Sequence, residues 1–392
     1  MSGGGGGGGN TWVLVLIVGV VVCAAGYGLA FAHVDPHWIS VVCLAIGGLA
    51  VVFGSCEAMI KCVEGVGERL DWNQFVAGTM AGLASNIPEI VMLGFVVAAE
   101  PRVAFVVVAL TLHVNALMFG IYSGLLPRDA SGRARLPEPL VKISTDLYAA
   151  GGGVFLATGL LMVLVTVFKT GEHEGEAFGV WDLLVIGICL LIVQIIATSQ
   201  MIKRFSKPTA KREEEVPLDD VEPPKDPPSW AKIAGYGLLG AVTSLLGGHA
   251  VGDFADSLVT SLNEAGYPEM VGAIILSIFA GAGAYVMIAT AHAKKMYDIA
   301  LANVSGAITQ VPFVVLPAVM ILMAILALTN VIPSEHGVLA IDLETTSVIL
   351  LAFPPMLLLW KSVQDDGKVN WVETAGMVAV FGLTIYFLMM HG

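Results

Sequence analysis

A proline and a carboxylate lie side by side in the middle of a strongly apolar stretch of this sequence. The stretch runs from Phe75 to Ala99, and Glu89, directly after Pro88, carries its only formal charge. Proline has no backbone N–H to donate, so carbonyl oxygens of the preceding turn lose their helical partners. Asn86 adds an amide oxygen one turn before the carboxylate. This spacing predicts a site where several oxygens converge on a cation, with Glu89 as its charged metal ligand.

Two later apolar stretches also carry polar side chains at mid-length, and their hydroxyl and amide oxygens extend this expectation. Histidine titrates near neutral pH, so His113 joins Glu89 as a proton-coupling candidate; the alternative is a neutral imidazole that hydrogen-bonds between helices. The expected ion-binding set is Glu89, Asn86, Thr111, Asn115, Asn303, Thr309 and Gln310.

Composition decides the class of protein. Of the 392 residues, 56% are hydrophobic and 13% are charged, whereas soluble domains carry about 25% charged residues. The sequence therefore predicts an integral membrane protein whose partners are the lipid bilayer and inorganic cations. A net charge of −13 argues against a nucleic-acid partner, and the five cysteines form no CxxC motif. No cofactor is expected, since cations such as Ca²⁺, Na⁺ and H⁺ would be substrates, and the oligomeric state is left open.

Apolar runs of about 20 residues, the length needed to cross a bilayer, repeat along the chain. A glycine-rich tail (1–10) precedes an extra transmembrane helix (11–34), expected to be retained although Ala30-Phe31-Ala32 imitates a cleavage site. A first five-helix repeat (35–202), a polar linker (203–230) and a second five-helix repeat (231–392) follow. The expected spans are 11–34, 38–69, 75–99, 103–127, 147–168, 183–202, 231–262, 270–293, 299–328, 345–360 and 374–390.

The basic residues predict how these spans are oriented. If the linker is cytoplasmic, most of the 19 Lys and Arg residues fall on its side of the membrane, and the C-terminus lies on the opposite side. Five spans per repeat is an odd number, so the two repeats would be inverted relative to each other. The expected fold is an all-α membrane protein with two inverted five-helix repeats and broken central helices.

A shift of 196 positions, the difference between 285 and 89, aligns the two repeats. It places Glu57 on Asp253, and it places Glu89 on Tyr285, so the second repeat lacks the central carboxylate. A single charge favours a monovalent cation, or a divalent ion whose second charge comes from Glu57 or Asp253. We assign gating or supporting roles to four residues of the flanking helices: Glu57, Asp253, Asp256 and Tyr285.

Two segments resemble a known transporter family. Ala84-Ser85-Asn86-Ile87-Pro88-Glu89-Ile90, within 78–119, is similar to the first α-repeat of the calcium/cation antiporter superfamily. Asp298 to Val311, followed by Pro312 to Pro317, resembles the second repeat of its cation/proton exchanger branch. The chain is thereby identified as a divergent member of the superfamily that includes sodium/calcium and cation/proton exchangers.

This resemblance implies a secondary active antiporter that exchanges Ca²⁺ or a monovalent cation for Na⁺ or H⁺ by alternating access. Glu89 would be its central ion and proton site. Members of the family usually place an acidic residue in each broken helix, and here the matching position, Tyr285 or its neighbour Ala284, is not acidic. The alternative is a non-transporting binding or regulatory membrane protein of the same fold. An enzyme is not expected, since the sequence has neither HExxH nor GxSxG.

Overall fold

The computed structural model of this chain describes residues 11–32, 38–70, 72, 74–137, 140–168, 177–205, 228–293, 295, 297–364 and 366–391. The predicted tail 1–10 and most of the predicted linker (206–227) lie outside them. The described α-helices are α1 (Thr11–Phe31), α2 (Trp38–Arg69), α3 (Gln74–Ala99), α4 (Pro101–Leu125), α5 (Thr145–Phe168), α6 (Val180–Phe205), α7 (Trp230–Glu264), α8 (Glu269–Ala293), α9 (Tyr297–Gln310), α10 (Leu316–Leu328), α11 (Leu343–Leu350), α12 (Phe353–Gln364) and α13 (Trp371–His391).

Membrane-crossing length is the common property of these elements. Within the described residues, ten helical stretches are long and apolar enough to span a bilayer, and α8 contains a further apolar segment, Glu269–Gly281. The predicted all-α, multi-span class is therefore confirmed. The span boundaries agree to within a few residues: α6, for example, continues to Phe205, three residues beyond the expected end of the first repeat.

Two short strand pairs join the repeats, one at each end of the helix bundle. Strand β1 (Ala134–Arg135), after α4, pairs antiparallel with β4 (Lys368–Val369), after α12. Strand β2 (Ala177–Phe178), after α5, pairs antiparallel with β3 (Leu339–Ala340), after α10. Each pair thus joins the loop after the third span of one repeat to the loop after the fourth span of the other. This reciprocal pairing is what two inverted copies of one unit require.

The central helices differ from the expectation of a break at Pro88. Helix α3 is continuous from Gln74 to Ala99 with Pro88 inside it, and α8 is continuous as well. The Ser85 hydroxyl donates to the Gly82 carbonyl at 2.7 Å, which gives one carbonyl of this turn a side-chain partner. Neighbouring helices and side chains can satisfy backbone groups around a transmembrane proline, so the proline does not have to interrupt the helix.

The interruptions lie instead in the third and fourth spans of the second repeat. A π-helical turn, Val311–Val315, separates α9 from α10, and the Leu316 N–H donates to the Val311 carbonyl five residues earlier. Pro312 explains the wider turn, because a proline cannot continue the ordinary helical ladder. The span expected at 345–360 is likewise divided into α11 and α12, and Pro354 and Pro355 lie in the first turn of α12.

Glycines allow the longest helices to pack closely. A Cβ on Gly48 of α2 would lie 2.8 Å from Val251 of α7, and one on Gly247 of α7 would lie 3.0 Å from Val51 of α2. Helix α1 packs on α2 in the same way, because a Cβ on Gly47 would lie 2.7 Å from the backbone nitrogen of Cys23. Small residues at such contacts are typical of membrane helix pairs.

Candidate ion-binding site

Glu89 is the central side chain of the candidate site. It lies three residues after Asn86, on the same face of α3. Within the described part of the chain, Glu89 Oε1 is buried and has no hydrogen-bond partner. A buried carboxylate oxygen without a protein partner is costly, so it favours either a bound proton or a bound cation.

Asn86 connects α3 to the second repeat. Its Nδ2 donates to Oε1 of Gln310 at 3.0 Å. Gln310 is the last residue of α9, directly before the π-helical turn, and its Nε2 lies 3.3 Å from the position that a Cβ on Gly82 would take. Gly82 therefore leaves room for the glutamine amide beside α3. The sequence predicted both Asn86 and Gln310 at the site, and the structure brings them into contact.

Tyr285 and Asn115 connect the other two helices around Glu89. The Tyr285 hydroxyl donates to Asn115 Oδ1 at 3.2 Å, and Asn115 Nδ2 donates to the Ala307 carbonyl at 3.4 Å. Hydrogen bonds thus link four helices in the order α3, α9, α4 and α8, and we call the polar side chains along this path, together with Glu89, the ring. This ring contains one carboxylate among neutral oxygens.

The two predicted threonine ligands use their hydroxyl hydrogens within their own helices. Thr111 Oγ1 donates to the Val107 carbonyl at 2.8 Å, and Thr309 Oγ1 donates to the Gly306 carbonyl at 3.1 Å. Their oxygen lone pairs remain available as acceptors, which is what a cation requires. Thr111 lies one turn before Asn115 on α4. Asn303, half-buried, lies one turn before Ala307 on α9.

His113 lies on another face of α4 from Thr111 and Asn115, because it is two residues from each. Its ring is fully buried, and its Nε2 lies 3.0 Å from the Val348 carbonyl of α11. In the described part of the chain, its Nδ1 has no hydrogen-bond partner. The structure therefore directs His113 towards α11, whereas Asn115 faces α8 and α9.

The acidic residues of the long helices point to other neighbours. Asp253 Oδ2 lies 3.2 Å from His249 Nδ1, and the Tyr27 hydroxyl of α1 lies 2.6 Å from the same nitrogen. Asp253 thus belongs to a polar cluster between α7 and α1. Glu57 of α2 is half-buried, and Lys61, one turn later, is its stabilising charged neighbour. No cluster of three His, Cys, Asp or Glu side chains suited to a metal ion occurs among the residues that the structure describes.

Asp256 is exposed and belongs to an acidic patch where α3 ends and α8 begins. Burial, together with nearby Glu269 and Asp256, raises the pKa of Glu100 in this patch. Arg102 compensates part of the charge: its guanidinium lies 2.9 Å from carboxylate oxygens of both Glu269 and Asp342 and also contacts Glu344. These ion pairs join the start of α4 to the second repeat.

One buried polar network near the site was missed at the sequence level. The Tyr148 hydroxyl of α5 lies 2.6 Å from Ser305 Oγ, and Ser305 Oγ donates to Ser144 Oγ at 2.9 Å. Ser305 also carries the backbone carbonyl that accepts a hydrogen bond from Thr309. Ser305 lies in the same polar stretch of the sequence as Asn303 and Thr309. Nothing in the sequence around Tyr148, however, indicated that its hydroxyl contacts α9.

The second half of the chain matches a known family. Residues 232–390 match the family model described as sodium/calcium exchanger protein. No curated protein matches the chain in sequence. The family match covers almost all of the second repeat, including α8, α9 and the π-helical turn.

Solved structures of three exchangers share the fold of the whole chain. The H⁺/Ca²⁺ exchanger CAX has a TM-score of 0.61 at 12% identity, over 97% of this chain and 91% of that chain. Native YfkE has a TM-score of 0.60 at 14% identity, over 97% and 99%. The sodium-calcium exchanger NCX_Mj has a TM-score of 0.52 at 15% identity, over 88% and 98%. At these identities the similarity establishes the fold.

Proposed function

We propose that this chain is a secondary active cation antiporter of the calcium/cation antiporter superfamily. The match of its second half to the sodium/calcium exchanger family model and the fold that it shares with solved exchangers support this proposal. The solved relatives exchange cations such as Ca²⁺, H⁺ and Na⁺, as their names state. For this chain we propose the same class of activity, which is exchange of inorganic cations across the membrane by alternating access.

One observation carries this proposal: Glu89 places an unpartnered, buried carboxylate oxygen in a ring of neutral oxygens from four helices. Ionisable groups at membrane depth usually mark ion pathways, because burying them without a function is costly. Glu89 would hold a cation in one half of the cycle and a proton in the other. Asn86, Asn115, Thr111, Thr309, Asn303 and Gln310 would supply or position neutral oxygens.

His113 has no part in this proton transfer as we propose it. Its ring contacts the Val348 carbonyl on α11 and lies on another face of α4 from Asn115. A neutral imidazole that joins two helices accounts for this contact, and Glu89 alone can carry the proton.

Movement of the long helices would control access to Glu89. Beyond Glu89 along α3, Gly248 of α7 packs so closely that a Cβ there would lie 3.0 Å from Phe95. Phe254 of α7 stacks on Phe279 of α8 with ring centroids 5.4 Å apart. Ions would reach the site from this side only after α7 moves away. The glycine-lined contact of α7 with α2 supports such sliding, since it offers few protruding side chains.

Transport by the purified protein in proteoliposomes tests the proposal. Opposing gradients of Na⁺, K⁺, Ca²⁺ and H⁺ are imposed, and flux is followed with an internal pH indicator and isotopes. We expect gradient-driven exchange in the wild type and loss of exchange in Glu89→Gln, because the amide can neither ionise nor release a proton. Glu264→Gln, which changes the exposed carboxylate at the end of α7, is the matched control and should retain wild-type flux.

Unchanged flux in Glu89→Gln would refute the role of Glu89. Absence of every gradient-driven flux in a folded wild-type protein would refute antiport and would favour a binding protein of the same fold.

A further inference from the structure

The charge of the candidate site identifies the class of its substrate. At the position in α8 that corresponds to Glu89 in α3, the side chain is the phenol of Tyr285. Its hydroxyl donates to Asn115 Oδ1 at 3.2 Å, so it serves as a neutral hydrogen-bond donor at this place. The second repeat therefore adds no negative charge to the ring.

Gly281 shows that α8 is adapted to this tyrosine. It lies one turn before Tyr285, and a Cβ at Gly281 would collide with the phenol ring and its hydroxyl. A side chain at this position would push the ring away from Asn115. The absence of a Cβ thus allows the ring to lie along its own helix and reach α4. The pair Gly281 and Tyr285 forms one structural unit.

No other acid compensates for the missing carboxylate in the described part of the chain. Asp253 lies against His249 and Tyr27, in the cluster between α7 and α1. Glu57 has Lys61 one turn later on its own helix as a stabilising charge. Among the described residues, Glu89 belongs to no group of three or more His, Cys, Asp or Glu side chains that could hold a metal ion. The second charge that a divalent ion would need is therefore absent from the ring.

A divalent cation in this ring would leave one positive charge uncompensated in a buried place. Ca²⁺ takes six to eight oxygen ligands and is normally held by several carboxylates, whereas this ring offers one. Burial of an unpaired charge is strongly unfavourable, since water no longer screens it. A monovalent cation on the Glu89 carboxylate leaves the site neutral.

We infer that the ring of Glu89, Asn86, Asn115, Tyr285 and Gln310 takes a monovalent alkali-metal cation and exchanges it one-for-one with a proton. This inference rests on the proposed antiport function. As the cation enters, the protonated Glu89 carboxyl releases one H⁺ to the same side of the membrane, and the carboxylate binds the cation. On the other side the cation leaves and the carboxylate takes up one H⁺. The site is neutral in both states, so the cycle moves no net charge.

Proteoliposomes with an internal pH indicator test the inference. Imposed Na⁺ or K⁺ gradients should drive proton counterflow in the wild type. With Na⁺ as the substrate, clamping the membrane potential with valinomycin should not change the rate of this counterflow. Uptake of ⁴⁵Ca²⁺ should be at least about 100-fold slower, since an uncompensated buried charge lowers affinity by that factor or more. Excess Ca²⁺ should not compete with Na⁺/H⁺ or K⁺/H⁺ exchange.

Tyr285→Glu is the decisive variant, because it restores a second carboxylate. We expect ⁴⁵Ca²⁺ uptake to rise at least about tenfold above the wild type, while Tyr285→Phe, which adds no charge, gives no such rise. Wild-type Ca²⁺ flux equal to the alkali-cation flux would overturn this inference and leave antiport standing. No flux of any cation by the folded wild type would overturn antiport itself. If Tyr285→Glu fails to fold, the competition experiment on the wild type tests the inference instead, and inhibition of Na⁺/H⁺ or K⁺/H⁺ exchange by Ca²⁺ would overturn it.

Discussion

Helices α3 and α8 occupy corresponding positions in the two repeats, yet they bring different chemistry to the same ring. Helix α3 contributes a carboxylate with one buried oxygen and an amide, Glu89 and Asn86, around Pro88. Helix α8 contributes a phenol, Tyr285, that lies along its own helix above Gly281. An inverted repeat therefore preserves where helices cross but not which side chains they carry there. The charge of an ion site built between two repeats has to be read from both of them.

The difference also separates the roles of the two helices. In α3 the side chain at the ring is ionisable, and its Oε1 is left without a partner in the described structure. In α8 the corresponding side chain is already engaged, since its hydroxyl donates to Asn115. The first repeat thus carries the exchange chemistry, and the second repeat provides a fixed neutral wall.

Among the variants that break a contact between helices, the largest effect is expected at Asn86, which joins the two repeats. Asn86→Ala removes the donor to Gln310 Oε1. Because a buried polar group left without its partner costs about 1–3 kcal/mol, cation flux should fall about 10- to 100-fold. Gln310→Ala should give a similar loss of flux. The double variant should lose no more flux than either single variant, since all three remove the same hydrogen bond. Initial flux rates in proteoliposomes give the answer.

Gln194→Ala provides the control for this cycle, because the hydrogen bond that Gln194 donates in the described part of the chain goes to Thr198 on its own helix. It should keep wild-type flux. Additive losses in Asn86→Ala and Gln310→Ala would show that the two amides act independently and that the contact does not join the repeats functionally.

Gly281→Ala tests whether the tyrosine wall of α8 depends on its glycine. The added methyl group collides with the Tyr285 ring, and overpacking of this kind costs about 1–3 kcal/mol. We expect about tenfold slower flux and a lower Tm in detergent. In a Tyr285→Ala background the same change should cause no further loss. Gly153→Ala, where nothing lies within 4 Å of the added Cβ, should leave both quantities unchanged or slightly improved.

A smaller effect is expected where Arg102 holds the repeats together. Arg102→Met leaves Glu269, Asp342 and Glu344 without their shared cation. These groups are partly exposed, so we expect a loss of about 1 kcal/mol, seen as a Tm lower by a few degrees and partly restored by salt. Arg133→Met, which removes a single more exposed pair with Asp366, should lower Tm less. An equal effect of the two variants would argue against a cooperative cluster at Arg102.

The smallest effects are expected in the pH dependence of Tm, where carboxylates at the two ends of the bundle, Asp129 and Glu100, should act in opposite directions. Hydrogen bonds from Ser131, Arg133 and Lys368 lower the pKa of Asp129, so this carboxylate stabilises the fold above its ordinary pKa. That contribution is lost as pH falls below the ordinary value, and Asp129→Asn should flatten the acid side of a Tm-against-pH curve.

Glu100 at the other end should behave in the opposite way. Its pKa is raised by burial and by Glu269 and Asp256, so its contribution is present at low pH and is lost as pH rises through the raised pKa. Glu100→Gln should therefore raise Tm slightly near neutral pH. The same slope for both variants would show that these local environments do not control the pH response.

Much of this architecture follows from the sequence, because lipid imposes a simple rule on each span. Charge-free runs of about 20 residues predict the helices, and an odd number per repeat predicts inversion. Asn86 and Glu89 could be singled out since polar atoms at membrane depth are rare. The interruption at Pro312 could not be predicted, because a transmembrane proline can cause a kink, a wider turn or a break. Pro88 lies inside a continuous helix, whereas Pro312 lies in a π-helical turn.

Contacts between distant helices were beyond the reach of sequence patterns. Whether His113 faces α11 depends on how α4 is rotated about its axis in the bundle. Because α4 is apolar on all sides, its sequence does not show which side faces which neighbour. The contact between the Tyr148 hydroxyl of α5 and Ser305 Oγ of α9 likewise depends on how these two helices are rotated. Tyr285 could be aligned with Glu89, but its bond to Asn115 required the fold.

The strand pairs that join the repeats have a consequence for how the protein is made. Ala134–Arg135 and Ala177–Phe178 leave the ribosome long before their partners, Lys368–Val369 and Leu339–Ala340. Arg102 likewise waits for acids of the second repeat. A first repeat inserted in the membrane alone thus has unpaired strand edges and an Arg102 without its acidic partners until the second repeat has been made. A chain that stops before residue 339 can form neither strand pair.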